Sequence, residues 1–277
     1  MREALRSARA VLDRAANPTP RVDSELLLAH VLGCPRSVLL TAPDLRADQL
    51  HAFEQLILER GTGRPLQHLT GIAPFRHLEL AVGPGVFIPR PETELIVELA
   101  GAELAVAQSV VDLCAGSGAI ALAVQQEFGT GEVLAVERST AALAWLRRNV
   151  EAYGDLVQVV PGDVAAPDLL SERSGTVDVV LSNPPYVPSM VRARLGPEIG
   201  HDPDEAVFAG SDGLALLPAL IRTAGRLLRP GGLLVLEHDD SHAEAVPALL
   251  QQNGGWTDVS GHPDLTGRAR FTRALRL

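Results

Sequence analysis

Residues Ser182–Asn183–Pro184–Pro185–Tyr186 carry the side chains best suited to chemistry. Two consecutive prolines stiffen the backbone and remove two N–H donors, so neighbouring carbonyls are free to face a ligand. Asn183 adds a carbonyl acceptor and an amide donor, and Tyr186 adds a flat face. Those parts fit one problem. A planar amide or aromatic amine nitrogen is a poor nucleophile because its lone pair is delocalised. Two acceptors, the Asn183 side chain and the Pro184 carbonyl, can hold both of its N–H bonds and stabilise positive charge as it develops. Pro185 and Tyr186 complete the substrate site, with Tyr186 stacked on the planar group. The rest is alignment for in-line transfer, which supplies roughly 7–11 kcal/mol in favourable cases. Asn183, Pro184 and Tyr186 are the catalytic candidates.

A second segment, Asp112–Leu113–Cys114–Ala115–Gly116–Ser117–Gly118, is a glycine-rich turn through which backbone can approach a ligand closely. Glu137, nineteen residues after Gly118, can accept two hydrogen bonds from a ribose diol. Gly116 and Gly118 with Ala121 also fit a dinucleotide fingerprint, so the turn alone leaves NAD and S-adenosylmethionine both open. Asp112 tips the balance toward S-adenosylmethionine. Its charge suits an ammonium group and would repel a pyrophosphate.

These segments need strand ends to hold them. From Pro91 onward, strands at 110–113, 133–137, 157–160, 177–181 and 233–236 alternate with helices at 119–128, 140–152 and 214–228. Further strands lie near 256–260 and 270–275. Such alternation predicts an α/β domain with a mostly parallel sheet and helices on both faces, whose ligands sit at the carboxyl ends of the strands. Residues 71–90, punctuated by Gly71, Pro74, Gly83, Pro84, Gly85 and Pro89, read as a hairpin-like connector. Apolar spacing predicts helices over 3–15, over a stretch capped by Asp23 and stopped by Gly33, and over 47–60. The expected organisation is a helical domain at 1–70, the connector at 71–90 and a catalytic domain at 91–277.

Composition narrows the function. The chain has 277 residues, 46% hydrophobic and 21% charged, with a net charge of −10. All its basic side chains other than histidine are arginines. An acidic balance speaks against broad binding to a phosphate backbone. No apolar run reaches the roughly 18 residues of a membrane span. The amino-terminal residues have no apolar stretch of the secretory kind, and Glu3 and Asp13 argue against a transit peptide. Cys34 and Cys114 are far apart and the histidines are scattered, so no metal site is expected. Two lone cysteines suit reduced thiols in a cytoplasmic protein.

With both loops in view, the chain resembles the bacterial peptide chain release factor N5-glutamine methyltransferases over nearly its whole length. The resemblance runs through 23–30 (DSELLLAH), 65–71 (PLQHLTG), 87–94 (FIPRPETE), Asp202–Pro203, Ala206, Gly210, 212–214 (DGL) and 264–268 (DLTGR). It implies a Rossmann-like S-adenosylmethionine-dependent methyltransferase domain, preceded by a helical domain that helps engage the partner. It implies that Cys114, Ala115, Gly116, Ser117 and Gly118 line the cofactor and that Glu137 holds its ribose. Asp163 and Val164 then lie near the adenine, and Asn183 lies near the cofactor methionine as well as the substrate. The implied substrate is the glutamine of the Gly-Gly-Gln loop of release factors, methylated to modulate translation termination, with S-adenosyl-L-homocysteine as product. Neither membrane nor direct nucleic-acid binding is expected. An adenine-N6 methyltransferase is the competing reading, because adenine's amino group is also planar and conjugated. It would need base flipping and a basic channel. The chain departs from the usual pattern at Glu137, Val164, Asp202 and Cys114–Ala115.

Overall fold

The computed structural model describes residues 1–39, 41 and 43–277. They form two compact units, one of Met1–Ile72 with Gly196–His201, the other of Ala73–Leu195 with Asp202–Leu277. The segment read as a connector is therefore divided, with residues 73–90 belonging to the larger unit.

The smaller unit contains α1 (Arg2–Arg14), α2 (Pro20–Leu32), α3 (Ala47–Gly61) and α4 (Leu66–Thr70). Ala8, Leu12, Leu27, Leu28, Phe53 and Ile57 form its core. Gly33 stops α2 in the left-handed conformation, as expected. Asp23 does not cap that helix. Pro20, with its pre-set φ, starts α2 one turn earlier behind Thr19. Asp23 is instead buried, accepting from Thr19 Oγ1 at 2.7 Å, Asn17 Nδ2 at 2.9 Å and Arg60 Nε at 2.6 Å. Arg60 also pairs with Glu198.

The hairpin of β1 (Ile72–Phe75) and β2 (Leu78–Ala81) follows, and from Ala73 on it belongs to the larger unit. After α5 (Leu95–Leu99) and α6 (Gly101–Leu104) come β3 (Ser109–Leu113), α7 (Ala119–Phe128), β4 (Glu132–Glu137), α8 (Thr140–Ala152), β5 (Gln158–Pro161) and β6 (Val177–Ser182). Then follow α9 (Asp204–Val207), α10 (Leu217–Leu227), β7 (Leu228–Glu237), α11 (Ala245–Asn253), β8 (Trp256–Pro263) and β9 (Ala269–Arg276). The sheet order is β5-β4-β3-β6-β7-β9-β8. The first five strands are parallel, and β9 runs antiparallel to both neighbours.

Strands buried on both faces explain the largely apolar runs at 110–113, 177–181 and 233–236, the first two interrupted by Asp112 and Asp178. One face packs on α5, α7 and α8, the other on α10 and α11. This is the Rossmann-like arrangement expected. Two details differ. The Arg229–Pro230–Gly231–Gly232 stop lies inside β7, whose pairing with β6 shifts register between Val177 and Val179. Helix α11 has no counterpart in the sequence reading. It is nine residues long, and Pro247 sits in its first turn, where a missing N–H breaks no helical bond.

Candidate active site

The direct parallel pairing of β3 with β6 brings the two sequence segments side by side at the carboxyl ends of the sheet. Leu113 is the register partner of Ser182, whose hydroxyl donates to the Leu113 carbonyl at 2.5 Å. The glycine turn and the reaction loop leave their strands at one level and wall one cleft that is open to solvent.

The cofactor wall is built from backbone. Ala115 N donates to Val136 O at 2.9 Å, and Gly118 N to Ala115 O at 2.8 Å. Cys114, Gly116 and Gly118 all take positive φ, at 65°, 56° and 87°. For cysteine that conformation costs about 1–2 kcal/mol, which glycine would avoid. Burial pushes the Cys114 thiol far up, so it is a protonated packing group and not a nucleophile. A side chain at Gly116 would meet nothing, so its open surface faces the cleft.

Glu137 closes this wall from the end of β4. Its Oε2 accepts from Gly116 N at 2.9 Å, and its Oε1 from Arg138 N at 2.8 Å and Ser139 N at 2.7 Å. A carboxylate has about four acceptor sites, so capacity remains for a ribose hydroxyl. Asp163 and Val164 line the cleft beyond it. Asp163 Oδ1 accepts from Ala165 N at 2.8 Å, and Val164 is buried with its carbonyl held by Thr223 Oγ1 at 2.8 Å.

Cys114, Ala115, Gly116, Ser117, Glu137, Asp163, Val164, Asn183, Pro184, Pro185 and Tyr186 all line this cleft. Asp112 and Gly118 do not. Asp112 lies within the sheet, fully buried, and its Oδ2 accepts from Ala121 N at 3.1 Å in the first turn of α7. Burial raises its pKa to about 8. Its Oδ1 has no hydrogen-bond partner among the described residues, an orphan acceptor beneath the loop. Gly118 is spatial: a Cβ there would come within 2.5 Å of Leu146 Cδ1. The open glycine surface and the Glu137 carboxylate fit S-adenosylmethionine, whereas Asp112, turned into the sheet, does not reach the cleft.

On the reaction side, Asn183 Nδ2 donates to Thr93 Oγ1 at 3.0 Å, and Tyr186 Oη donates to Glu237 Oε1 at 2.8 Å. Burial drives the Tyr186 phenol well above its usual pKa, with Glu237 adding to the rise. The loop continues into Val187, which pairs with Val207 and Ala209 through main-chain bonds of 2.9 and 3.1 Å. Gly213 presses on this exit. It has φ of 80°, and a Cβ there would lie 2.2 Å from the Tyr186 carbonyl oxygen. Both the left-handed φ and this close approach require the glycine of the 212–214 motif.

Sequence reasoning missed Thr93, Glu237 and Asn149. Thr93 lies in the 87–94 motif and lines the cleft. Glu237 ends β7, so the strand-end rule could have found it. Asn149 sits on α8 with no motif around it. Arg90, from the same 87–94 motif, pairs with the buried Asp202 within the larger unit, and its guanidinium lies 4.9 Å from the Phe87 ring centre.

Comparisons with known proteins agree with this architecture. Residues 3–71 match the PrmC N-terminal domain, and residues 82–198 match the methyltransferase small domain. The chain is 47% identical over 279 residues to a release factor glutamine methyltransferase of Mycolicibacterium smegmatis, covering 100% of this chain and 98% of the relative. A Streptomyces coelicolor protein of the same name is 48% identical over 269 residues, covering 95% and 93%. Among solved structures, a T. thermophilus 16S rRNA N2 methyltransferase in complex with AdoMet and guanosine is 23% identical. It aligns with a TM-score of 0.53 over 74% of this chain and 50% of its own, a likeness of fold. Full-length identity of this order shows that the chain is an S-adenosylmethionine-dependent methyltransferase and belongs to the release factor glutamine methyltransferase family.

Proposed function

We propose that this chain methylates the side-chain amide nitrogen of the glutamine in the Gly-Gly-Gln loop of peptide chain release factors, and so modulates translation termination. The observation that carries the reading is the reaction loop on one wall of the cleft and the glycine turn on the other, joined through β3–β6 pairing. Relatives matched along the whole chain bear the name of that reaction.

When bound, S-adenosylmethionine supplies an electron-poor methyl group and leaves as S-adenosyl-L-homocysteine. The chain's own residues do the rest. The Glu137 carboxylate and the backbone of Cys114 to Ser117 hold the nucleoside and methionine parts, with Asp163 and Val164 at the base. Asn183 Oδ1 and the Pro184 carbonyl accept the two N–H bonds of the glutamine amide, so its nitrogen cannot turn away. As the N–C bond forms and the C–S bond breaks, positive charge develops on that nitrogen beside two oxygens. Pro185 and Tyr186 cover the amide plane. The extra proton leaves to solvent afterwards, so no acid–base pair is required.

The helical unit would help engage the release factor, as the family resemblance implies. It follows from this reading that the enzyme works in the cytoplasm, where translation terminates. Among the described residues no helix is long and apolar enough to cross a membrane. No observation favours adenine as the acceptor.

Labelled methyl transfer from S-adenosylmethionine tests the proposal, with a purified release factor beside the same factor carrying a replaced Gly-Gly-Gln glutamine. Label on the first alone is expected. Equal label on both would overturn the choice of acceptor, and transfer to duplex DNA instead would revive the adenine reading.

A further inference from the structure

Gly213, at the exit of the reaction loop, lies between the Tyr186 carbonyl and the imidazole of His242. A Cβ there would come within 2.2 Å of Tyr186 O on one side and within 2.8 Å of His242 Cε1 on the other. His242 is buried. It ends the short turn Asp240–His242 between β7 and α11, and its main-chain N–H donates to Asp239 O at 3.0 Å. Asp239 caps that turn, accepting from Ser241 N at 3.0 Å. The ring is therefore carried on a fixed backbone just past the end of β7.

The ring reaches the neighbouring turn through one hydrogen bond. His242 Nε2 lies 2.8 Å from Asp212 O, and a carbonyl can only accept, so Nε2 carries a proton and donates it. Nδ1 is buried with no hydrogen-bond partner among the described residues. The ring thus serves as a donor to Asp212 and as a packing face for Gly213. Asp212 Oδ1 accepts from Leu214 N at 3.0 Å and closes the turn from its other side. The same turn holds the outgoing chain. Ser189 N donates to Gly210 O at 2.9 Å, and Ala209 N to Val187 O at 3.1 Å. Tyr186 is thereby fixed at both ends, its phenol by Glu237 and its carbonyl by the 212–214 turn.

We propose that His242 is a positioning residue for methyl transfer. By donating to Asp212 O and backing Gly213, it keeps the 210–214 turn against the Tyr186 carbonyl and so holds the Tyr186 ring over the plane of the acceptor amide. The proposal rests on the reading of Tyr186 as the cover of that plane. His242 does not line the cleft, so it acts only through the turn. The cofactor turn is anchored elsewhere, by Val136 O, Glu137 and Asn149, and does not depend on His242. A tilted Tyr186 leaves the amide free to swing out of line with the methyl group. A misplacement of about 1 Å, even from a change far from the chemistry, can cost about 100-fold in rate.

The test compares wild type, His242→Gln, His242→Met, His242→Asn and Tyr186→Ala. Glutamine and methionine match in length and branching, and only glutamine offers an N–H at the place of Nε2. Asparagine keeps a donor but is one bond too short to bring it there. Three quantities are measured: kcat and KM with a purified release factor, affinity and stoichiometry for S-adenosylhomocysteine by calorimetry, and amide hydrogen exchange over 186–190. His242→Met and His242→Asn should lower kcat per binding site by about 10- to 30-fold, with KM within about threefold and inhibitor affinity within about twofold. Exchange at Val187 and Ser189 should quicken while the cofactor turn stays protected. His242→Gln should bring kcat back to within about threefold of wild type. A residue needed only for folding would lower the binding stoichiometry and leave kcat per binding site unchanged. Either of the methionine and asparagine variants decides the matter if the other does not fold. Wild-type kcat per site in whichever folds, with Tyr186→Ala impaired, would overturn the proposal alone. So would an equal loss in His242→Gln and His242→Met, because the donor would then be irrelevant. Full activity in Tyr186→Ala would overturn the reading beneath it, and the proposal with it.

Discussion

Asn149 and Ser117 are joined by a buried hydrogen bond, 2.9 Å from Nδ2 to the main-chain oxygen of the cofactor turn. The same side chain donates to Ala81 O at 3.1 Å and accepts from Ala81 N at 2.8 Å. One residue of α8 thereby clamps the hairpin strand β2 and the glycine turn together. Asn149→Ala strands three backbone groups and should cost about 2–4 kcal/mol in urea unfolding. Because Ser117 lines the cleft, the variant should also bind S-adenosylhomocysteine more weakly. Unchanged affinity with lost stability would limit the clamp to folding.

Asn183→Ala should leave inhibitor affinity within about threefold and cut methyl transfer by about 10²–10³-fold, as loss of a single charge-stabilising contact does. Single-turnover transfer with saturating cofactor separates the two. A turnover near wild type would remove the amide-holding role.

Glu137→Ala should act in the opposite sense. It removes the anchor of the Gly116, Arg138 and Ser139 N–H groups and, on the proposed reading, the ribose acceptor. Affinity for S-adenosylhomocysteine should fall by about 10–100-fold, equivalent to about 1.4–2.8 kcal/mol, with a smaller change in kcat at saturating cofactor. Calorimetry and saturation kinetics check both halves.

Asp112 makes stability depend on pH. Its native pKa of about 8 lies above the usual 3.8, so the folded state binds more protons than the unfolded state between those values. Stability from this group is therefore greatest below the unfolded value and falls as pH rises toward about 8. Glu237, raised from 4.5 to about 7, acts in the same direction over a narrower window. Thermal unfolding of Asp112→Asn beside wild type should show the variant gaining relative stability from pH 5 to 8, roughly that window. Parallel curves would mean that Asp112 is ionised in the native state.

Arg60 should be a strong stability determinant of the helical unit. It is buried against Asp23, and Arg60→Leu leaves that carboxylate without its charged partner, at a cost of about 3–5 kcal/mol. Asp23→Leu combined with Arg60→Leu should recover part of the loss, a coupling that denaturant midpoints reveal.

Much of this site is legible in the sequence because its signals are local. Helices 119–128 and 140–152 fall on the expected residues. Prolines, glycines and a place after apolar runs mark the two loops. Asn149 and Thr93 were illegible because their partners, Ala81 and Asn183, lie 68 and 90 residues away. Charge alone cannot tell whether the Asp112 carboxylate faces a ligand or turns into the sheet. The residue type of Asp23 suits a helix cap. The fixed φ of Pro20 moved the helix start and freed Asp23 for the Arg60 pair.

The helical unit is discontinuous, since Gly196–His201 completes it. Arg60 and Glu198 are 138 residues apart in sequence. At a ribosomal rate of roughly 5–20 residues per second, the first helices emerge roughly 7–28 s before that acidic partner is made. During synthesis Asp23 is the acidic partner of Arg60 until Glu198 is made, so the Asp23–Arg60 pair is the early latch and Glu198 the late one.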